Sequence, residues 1–235
     1  MSYIYINGCS FTWGDGLEKS STYPYIIKDK LKSDIQCDAE RGNSNHKIHR
    51  VSHKHILENH SKIKTVVIQW TFPDRYEYWE KKKNDKTGDN QSDWLAILPN
   101  YDNEASKAYY KNIYSDYHSN TDHMNESISL ALLCEHYNIP YFFFEVDSSM
   151  QEYFQLPNNK QIEEMFKVKF PSYFDWKQSW NGIIERNNFK REDGYLENSH
   201  PTAESQKLMA KIIIFELTST YTMYQKYAFP GGRES

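Results

Sequence analysis

The 235-residue sequence predicts an α/β layered fold with a mostly parallel sheet. Three observations carry that expectation. Ile4-Tyr5-Ile6-Asn7 is long enough for one buried strand and runs into Gly8-Cys9-Ser10, a tight turn with a small reactive side chain. Lys64-Thr65-Val66-Val67-Ile68-Gln69-Trp70 is β-branched and apolar in succession, as a central parallel strand covered on both faces requires. Helical periodicity follows each such run, and the last helical stretch opens at Pro201, where a missing backbone N–H costs nothing.

Taken in order, Tyr23–Leu31 reads as a first helix with Thr22 as its N-cap and Tyr23, Ile26, Ile27 and Leu31 on one face. Ile35–Glu40 is a short, polar second strand, broken by Arg41-Gly42-Asn43-Ser44-Asn45. A histidine-rich amphipathic helix over about Asn45–His60 turns Ile48, Val51 and His55 or Ile56 inward. The strong strand ending at Trp70 leads to Thr71-Phe72-Pro73-Asp74-Arg75, a loop stopped by proline. Residues near 80–104 are charged, with Lys81-Lys82-Lys83 and a Thr87-Gly88-Asp89-Asn90 turn, and read as an exposed insertion. Ala105–Tyr137 reads as one helix with an irregular middle, and Pro140–Val146 as another buried strand. The segment 147–196 sets aromatics among polar residues without periodicity, the pattern of a lid or pocket wall. Pro201 to about Tyr221 closes the chain as a helix with Leu208, Ile212 and Phe215 on one face. The expected organisation is one domain over 1–225 and a flexible tail over 226–235.

Composition narrows the function. A net charge of -4 argues against a general nucleic-acid binder. Nineteen Tyr, 12 Phe and 6 Trp exceed what a core of this size needs, so some should line a groove or interface. Cys9, Cys37 and Cys134 are odd in number and widely spaced, which signals neither a disulfide framework nor a thiolate zinc site. No secretion signal and no bilayer-length apolar run is evident, so a cytoplasmic protein without membrane contact is expected. Histidines at 46, 49, 53, 55 and 60 recur near helical spacing, but read as solvated helix positions and not as metal ligands.

In a parallel sheet each strand delivers its loop to the same edge, where such sheets bind ligands. Acyl transfer needs a nucleophile, a base to take its proton and an acid to orient that base. Ser10, His200 and Glu197 supply those three types, the last two in Glu197-Asn198-Ser199-His200-Pro201. Alternatively, Ser10 only caps a helix and His200-Pro201 only starts one. Cys9 competes as nucleophile, but adjacent side chains on a strand face opposite ways and one alone can meet His200.

These residues resemble the short sequence blocks of the SGNH/GDSL hydrolase superfamily. Asn7-Gly8-Cys9-Ser10-Phe11-Thr12 resembles the first block, whose serine is the nucleophile and whose N–H belongs to the oxyanion hole. Arg41-Gly42-Asn43-Ser44-Asn45 resembles the second, with Gly42 at the glycine that gives its N–H. Glu197-Asn198-Ser199-His200-Pro201 resembles the last, with glutamate for aspartate. The third block's Gly-x-Asn-Asp is replaced by the loop after Trp70, so Asn45, or Asn43, is the expected stand-in for the oxyanion asparagine. The resemblance implies a three-layer α/β/α fold with a flavodoxin-like sheet and a serine esterase that needs no cofactor or metal. The aromatic surplus suits a small-molecule or glycan ester as substrate, with Trp13 and Trp70 as candidate contacts, while Arg75 at its strand end is either a contact for an anionic substrate group or an ordinary surface ion pair. A binding module that has kept the scaffold and lost the chemistry is the competing class.

Overall fold

The computed structural model describes residues 2–83, 90–147, 179–187, 194–197 and 199–227. The chain opens with β1 (Tyr3–Asn7), the one-turn helix α1 (Ser10–Trp13), α2 (Tyr23–Leu31), β2 (Asp34–Cys37), α3 (Asn45–Asn59) and β3 (Ile63–Trp70). It continues with β4 (Tyr76–Lys83), β5 (Asn90–Ile97), α4 (Glu104–Asn112), α5 (Asp116–His136) and β6 (Tyr141–Glu145). After that come α6 (Trp180–Arg186) and α7 (Ala203–Tyr227). Strands β2, β1, β3 and β6 lie in that order in one sheet, and each neighbouring pair is parallel.

Strand alternation splits the core into two faces. Tyr5 of β1, Val66, Ile68 and Trp70 of β3 and Phe143 of β6 pack on Ile48 and Ile56 of α3 and Leu130 and Cys134 of α5. On the opposite face Ile4 and Ile6, Val67, and Phe142 and Phe144 pack on Ile27 of α2, Ile183 of α6 and Met209 and Ile213 of α7. Helices thus cover both faces of a parallel sheet, the layered arrangement expected from the sequence.

Several local expectations need correction. The charged stretch near 80–104 is not without structure: β4 and β5 pair as an antiparallel hairpin in register from Tyr76–Ile97 to Lys83–Asn90. Trp79 and Trp94, directly opposite each other, pack edge to face at 5.3 Å between ring centres, a cross-strand contact that fixes register. The turn expected at Thr87–Asn90 lies almost wholly outside the described residues. The single helix expected over 105–137 is two, α4 and α5, broken at Ile113–Ser115, where Tyr114 turns its hydroxyl to the Asp116 carboxylate. Pro201 lies before the final helix and bridges to Tyr195; Thr202 caps α7, with its carbonyl taking the Gln206 N–H at 3.0 Å. Of the irregular stretch 147–196, the described part includes α6, capped by the Ser179 hydroxyl accepting from the Gly182 N–H. The remainder of that stretch, and the tail beyond Tyr227, lie outside the described residues.

Candidate active site

Gly8 closes β1 and Cys9 caps α1, so Ser10 is the first residue of a helical turn at the carboxyl edge of the sheet. Its N–H therefore has no acceptor within the helix. Buried polar contacts pin this turn. Gln69, fully buried near the end of β3, accepts from the Thr12 hydroxyl at 2.8 Å, and from the Cys9 N–H and thiol at 3.4 Å each. Thr12 also meets the Tyr23 hydroxyl at 3.0 Å. From α7, the Gln206 amide donates to the Phe11 carbonyl at 2.8 Å while its oxygen accepts the Tyr23 N–H at 2.9 Å. A single buried glutamine thus holds α1 and starts α2.

Ser10 and His200, 190 residues apart, meet: Ser10 Oγ lies 2.9 Å from His200 Nε2. The neighbouring Cys9 is wholly buried, its thiol turned to Gln69, so of the two adjacent side chains it is Ser10 that faces the imidazole. His200 is held against the Phe11 ring edge to face at 5.5 Å, and its loop is folded by the Ser199 N–H donating to the Leu196 carbonyl.

Around this pair the other candidate residues separate. Glu197 is exposed, and among the described residues no hydrogen bond or ion pair joins it to His200. Among the described residues, the Asp15 carboxylate approaches the imidazole, with Oδ2 3.7 Å from Nε2; its other oxygen is ion-paired to Arg41. Gly42 follows with φ +72°, a left-handed backbone that suits glycine. Its loop is tied to the turn before Ser10 by Asn43, whose amide donates to the Gly8 carbonyl at 2.9 Å. Asn45 is occupied elsewhere. Its oxygen accepts the Thr71 N–H at 2.8 Å and its amide donates to the Thr71 carbonyl at 3.1 Å, making it a strut for the loop after β3. Trp70 is a core residue with no exposed surface, packed edge to face on His123 and Phe143, so it is not placed to touch substrate. Trp13 is 37% exposed on α1 with the Lys19 ammonium over its ring. Arg75 lies with its guanidinium over the Phe72 ring at 5.0 Å.

Beside Ser10 and His200 runs a groove of about 380 Å³. Phe11, Phe72, Ile184 and Tyr195 make its apolar walls, and Asn181, Glu185 and Ser199 its polar edge. Among the described residues no cluster of three potential metal ligands occurs, and no helix is long and apolar enough to cross a membrane. Asp15, Arg41 and Gln69 stand at the site without having been singled out in the sequence. Asp15 had one legible signal, its place in the loop just after the candidate nucleophile; Gln69 had none, being a polar residue inside an apolar strand.

No family model matches the sequence, and no curated protein matches it significantly. Solved structures do match the fold. A GDSL-like lipase from Bacteroides thetaiotaomicron superposes with a TM-score of 0.54 at 12% identity, over 93% of this chain and 89% of that one. A catalytic mutant of an acetylxylan esterase from Geobacillus stearothermophilus gives 0.53 at 11%, over 92% and 93% of the two chains. A member of the lipolytic G-D-S-L family from Veillonella parvula gives 0.51 at 9%, over 93% and 99%. With its parallel sheet clad in helices on both faces, this chain has the SGNH/GDSL hydrolase fold.

Proposed function

We propose that the protein hydrolyses esters through an acyl-enzyme on Ser10, removing acetyl or another short acyl group from a carbohydrate or small molecule. The observation that carries this reading is the 2.9 Å contact between Ser10 Oγ and His200 Nε2, made by residues 190 positions apart. His200 takes the Ser10 proton as Oγ bonds to the ester carbon, and returns it to the alcohol oxygen as the ester C–O bond breaks. Water then repeats the sequence: it gives a proton to His200, attacks the acyl carbon, and the Ser10–acyl bond breaks with the proton restored to Oγ. The Ser10 N–H, unpaired within its helix, and the Gly42 N–H are the donors for the oxyanion. Glu197 has no part in this reading, because its exposed carboxylate is not bonded to the imidazole, and Asn45 acts on the loop after β3. The apolar groove receives the acyl group and has room for more than acetyl, since its volume equals that of about a dozen waters at ~30 Å³ each.

Turnover of p-nitrophenyl acetate by the wild type and by Ser10→Ala and His200→Ala tests the reading. Both variants should fall by roughly 1,000-fold or more, toward the level that binding and oxyanion donors alone provide. Equal rates in wild type and Ser10→Ala would remove it.

A further inference from the structure

We propose that Asp15, Arg41 and Tyr101 form the subsite for the alcohol half of the ester and select a polyhydroxylated alcohol there. This rests on the reading of Ser10 as nucleophile and His200 as its base. The departing oxygen must collect its proton from His200 Nε2, so whatever is attached to that oxygen lies within a few ångströms of this nitrogen. Asp15 Oδ2 stands there, 3.7 Å away.

A carboxylate accepts hydrogen bonds and gives none, whereas a guanidinium gives up to five and accepts none. Asp15 and Arg41, joined as an ion pair, therefore present an acceptor and a donor side by side. The Arg41 side chain is 65% exposed, leaving donors beyond those facing Asp15 open to a ligand. A hydroxyl group one carbon from the leaving oxygen matches that pair, because it donates to one member and accepts from the other. A plain alkyl alcohol would displace water from both charges and return nothing.

The third member comes from the connection after the β4–β5 hairpin. The Tyr101 hydroxyl lies 3.8 Å from the position a side chain on Gly42 would occupy, next in sequence to Arg41. With 42% of its surface exposed, Tyr101 offers an aromatic face and a hydroxyl at the rim of the expected oxyanion loop. A sugar or glycerol unit, with apolar C–H edges between hydroxyls, fits an aromatic face beside paired charges. None of these three residues lines the apolar groove, so the two halves of the ester meet different chemistry.

The test compares kcat/KM for glycerol monoacetate and a methyl xyloside monoacetate with that for ethyl acetate, in the wild type, Asp15→Asn, Arg41→Met and Tyr101→Ala. The wild type should favour the polyol esters by about tenfold or more, the scale of one charged hydrogen bond. In Asp15→Asn and Arg41→Met that ratio should fall toward one, and Tyr101→Ala should lower it for the xyloside. Because each variant is scored as a ratio of two substrates, a loss of folded protein cancels. An unchanged ratio in all three variants overturns the subsite while leaving ester hydrolysis intact. A wild type that hydrolyses none of the esters overturns the nucleophile reading, and the subsite with it.

Discussion

Gly8 is a glycine because of what stands against its α-carbon. A Cβ there would lie 2.2 Å from the Thr12 hydroxyl oxygen and 3.1 Å from Gln69 Cβ. Thr12 cannot swing aside cheaply, since Gln69 and Tyr23 both hold that hydroxyl. Gly8→Ala should therefore cost about 1–3 kcal/mol, the usual penalty for overpacking, read as a lower urea midpoint at unchanged slope. An unchanged midpoint would show that the turn has slack. At this scale the sequence was legible where a residue carries its own chemistry. Ser10 and His200 stood out by residue type and by their places at strand ends, and the fold brings them to 2.9 Å. Gln69 was illegible, and Asp15 was legible only by its place just after Ser10, because a glutamine amide and a loop carboxylate take their meaning from what surrounds them. Trp70 misled for the same reason: indole suits a sugar face and a core equally well, and its burial decides.

At the scale of elements, the histidines of α3 serve packing. His46 is bonded to Glu126 of α5, His49 lies 3.4 Å from the Ser129 hydroxyl, and His55 stacks on Tyr5 while facing Asp38 at 3.5 Å. Burial alone would depress His46, but the hydrogen bond and charge of Glu126 outweigh it, so its pKa is raised from 6.5. A raised folded-state pKa means that folding binds a proton. The contribution is complete below pH 6.5 and is lost as pH rises through the folded value. His55 is shifted the other way, chiefly by burial; its contribution is present above pH 6.5 and lost on acidification. His46→Gln should therefore remove part of the wild type's loss of stability above pH 6.5, seen in urea midpoints measured from pH 6 to 8. Parallel pH profiles for the two proteins would show that Glu126 does no work through His46. Helices and strands with clear periodicity were legible, α2 and β3 especially. The hairpin β4–β5 was hidden by its charge, because its register rests on a Trp79–Trp94 contact that only pairing reveals. The α4–α5 break was hidden because apolar periodicity survives across a short kink.

Across the whole molecule, the long-range ties converge on the first turn of the chain. The Gln206 amide on α7 reaches Phe11 and Tyr23, 195 and 183 residues earlier. Gln206→Leu keeps most of the volume and orphans a buried carbonyl and a buried N–H, so it should cost about 1–3 kcal/mol for each group left without a partner. Chemical unfolding measures this, and a loss within ~0.5 kcal/mol would mean water replaces the amide. The layered architecture was legible because a parallel sheet buried on both faces demands continuous apolar strands, and β1, β3 and β6 have them. How the distant ends of the chain are tied together was not, since a single glutamine in an amphipathic helix carries no positional signal.

Cys9 gives this arrangement a practical use. Its thiol is sealed from solvent immediately behind the residue that faces His200, while Cys134 is buried in the opposite layer and burial pushes Cys37 up to about 11. In the folded protein Cys9 and Cys134 are therefore shielded from thiol reagents, and burial holds back ionisation of Cys37 at neutral pH. A thiol reagent can reach Cys9 only when the first turn lifts away from Gln69, so its rate of modification times the opening of the turn that carries Ser10.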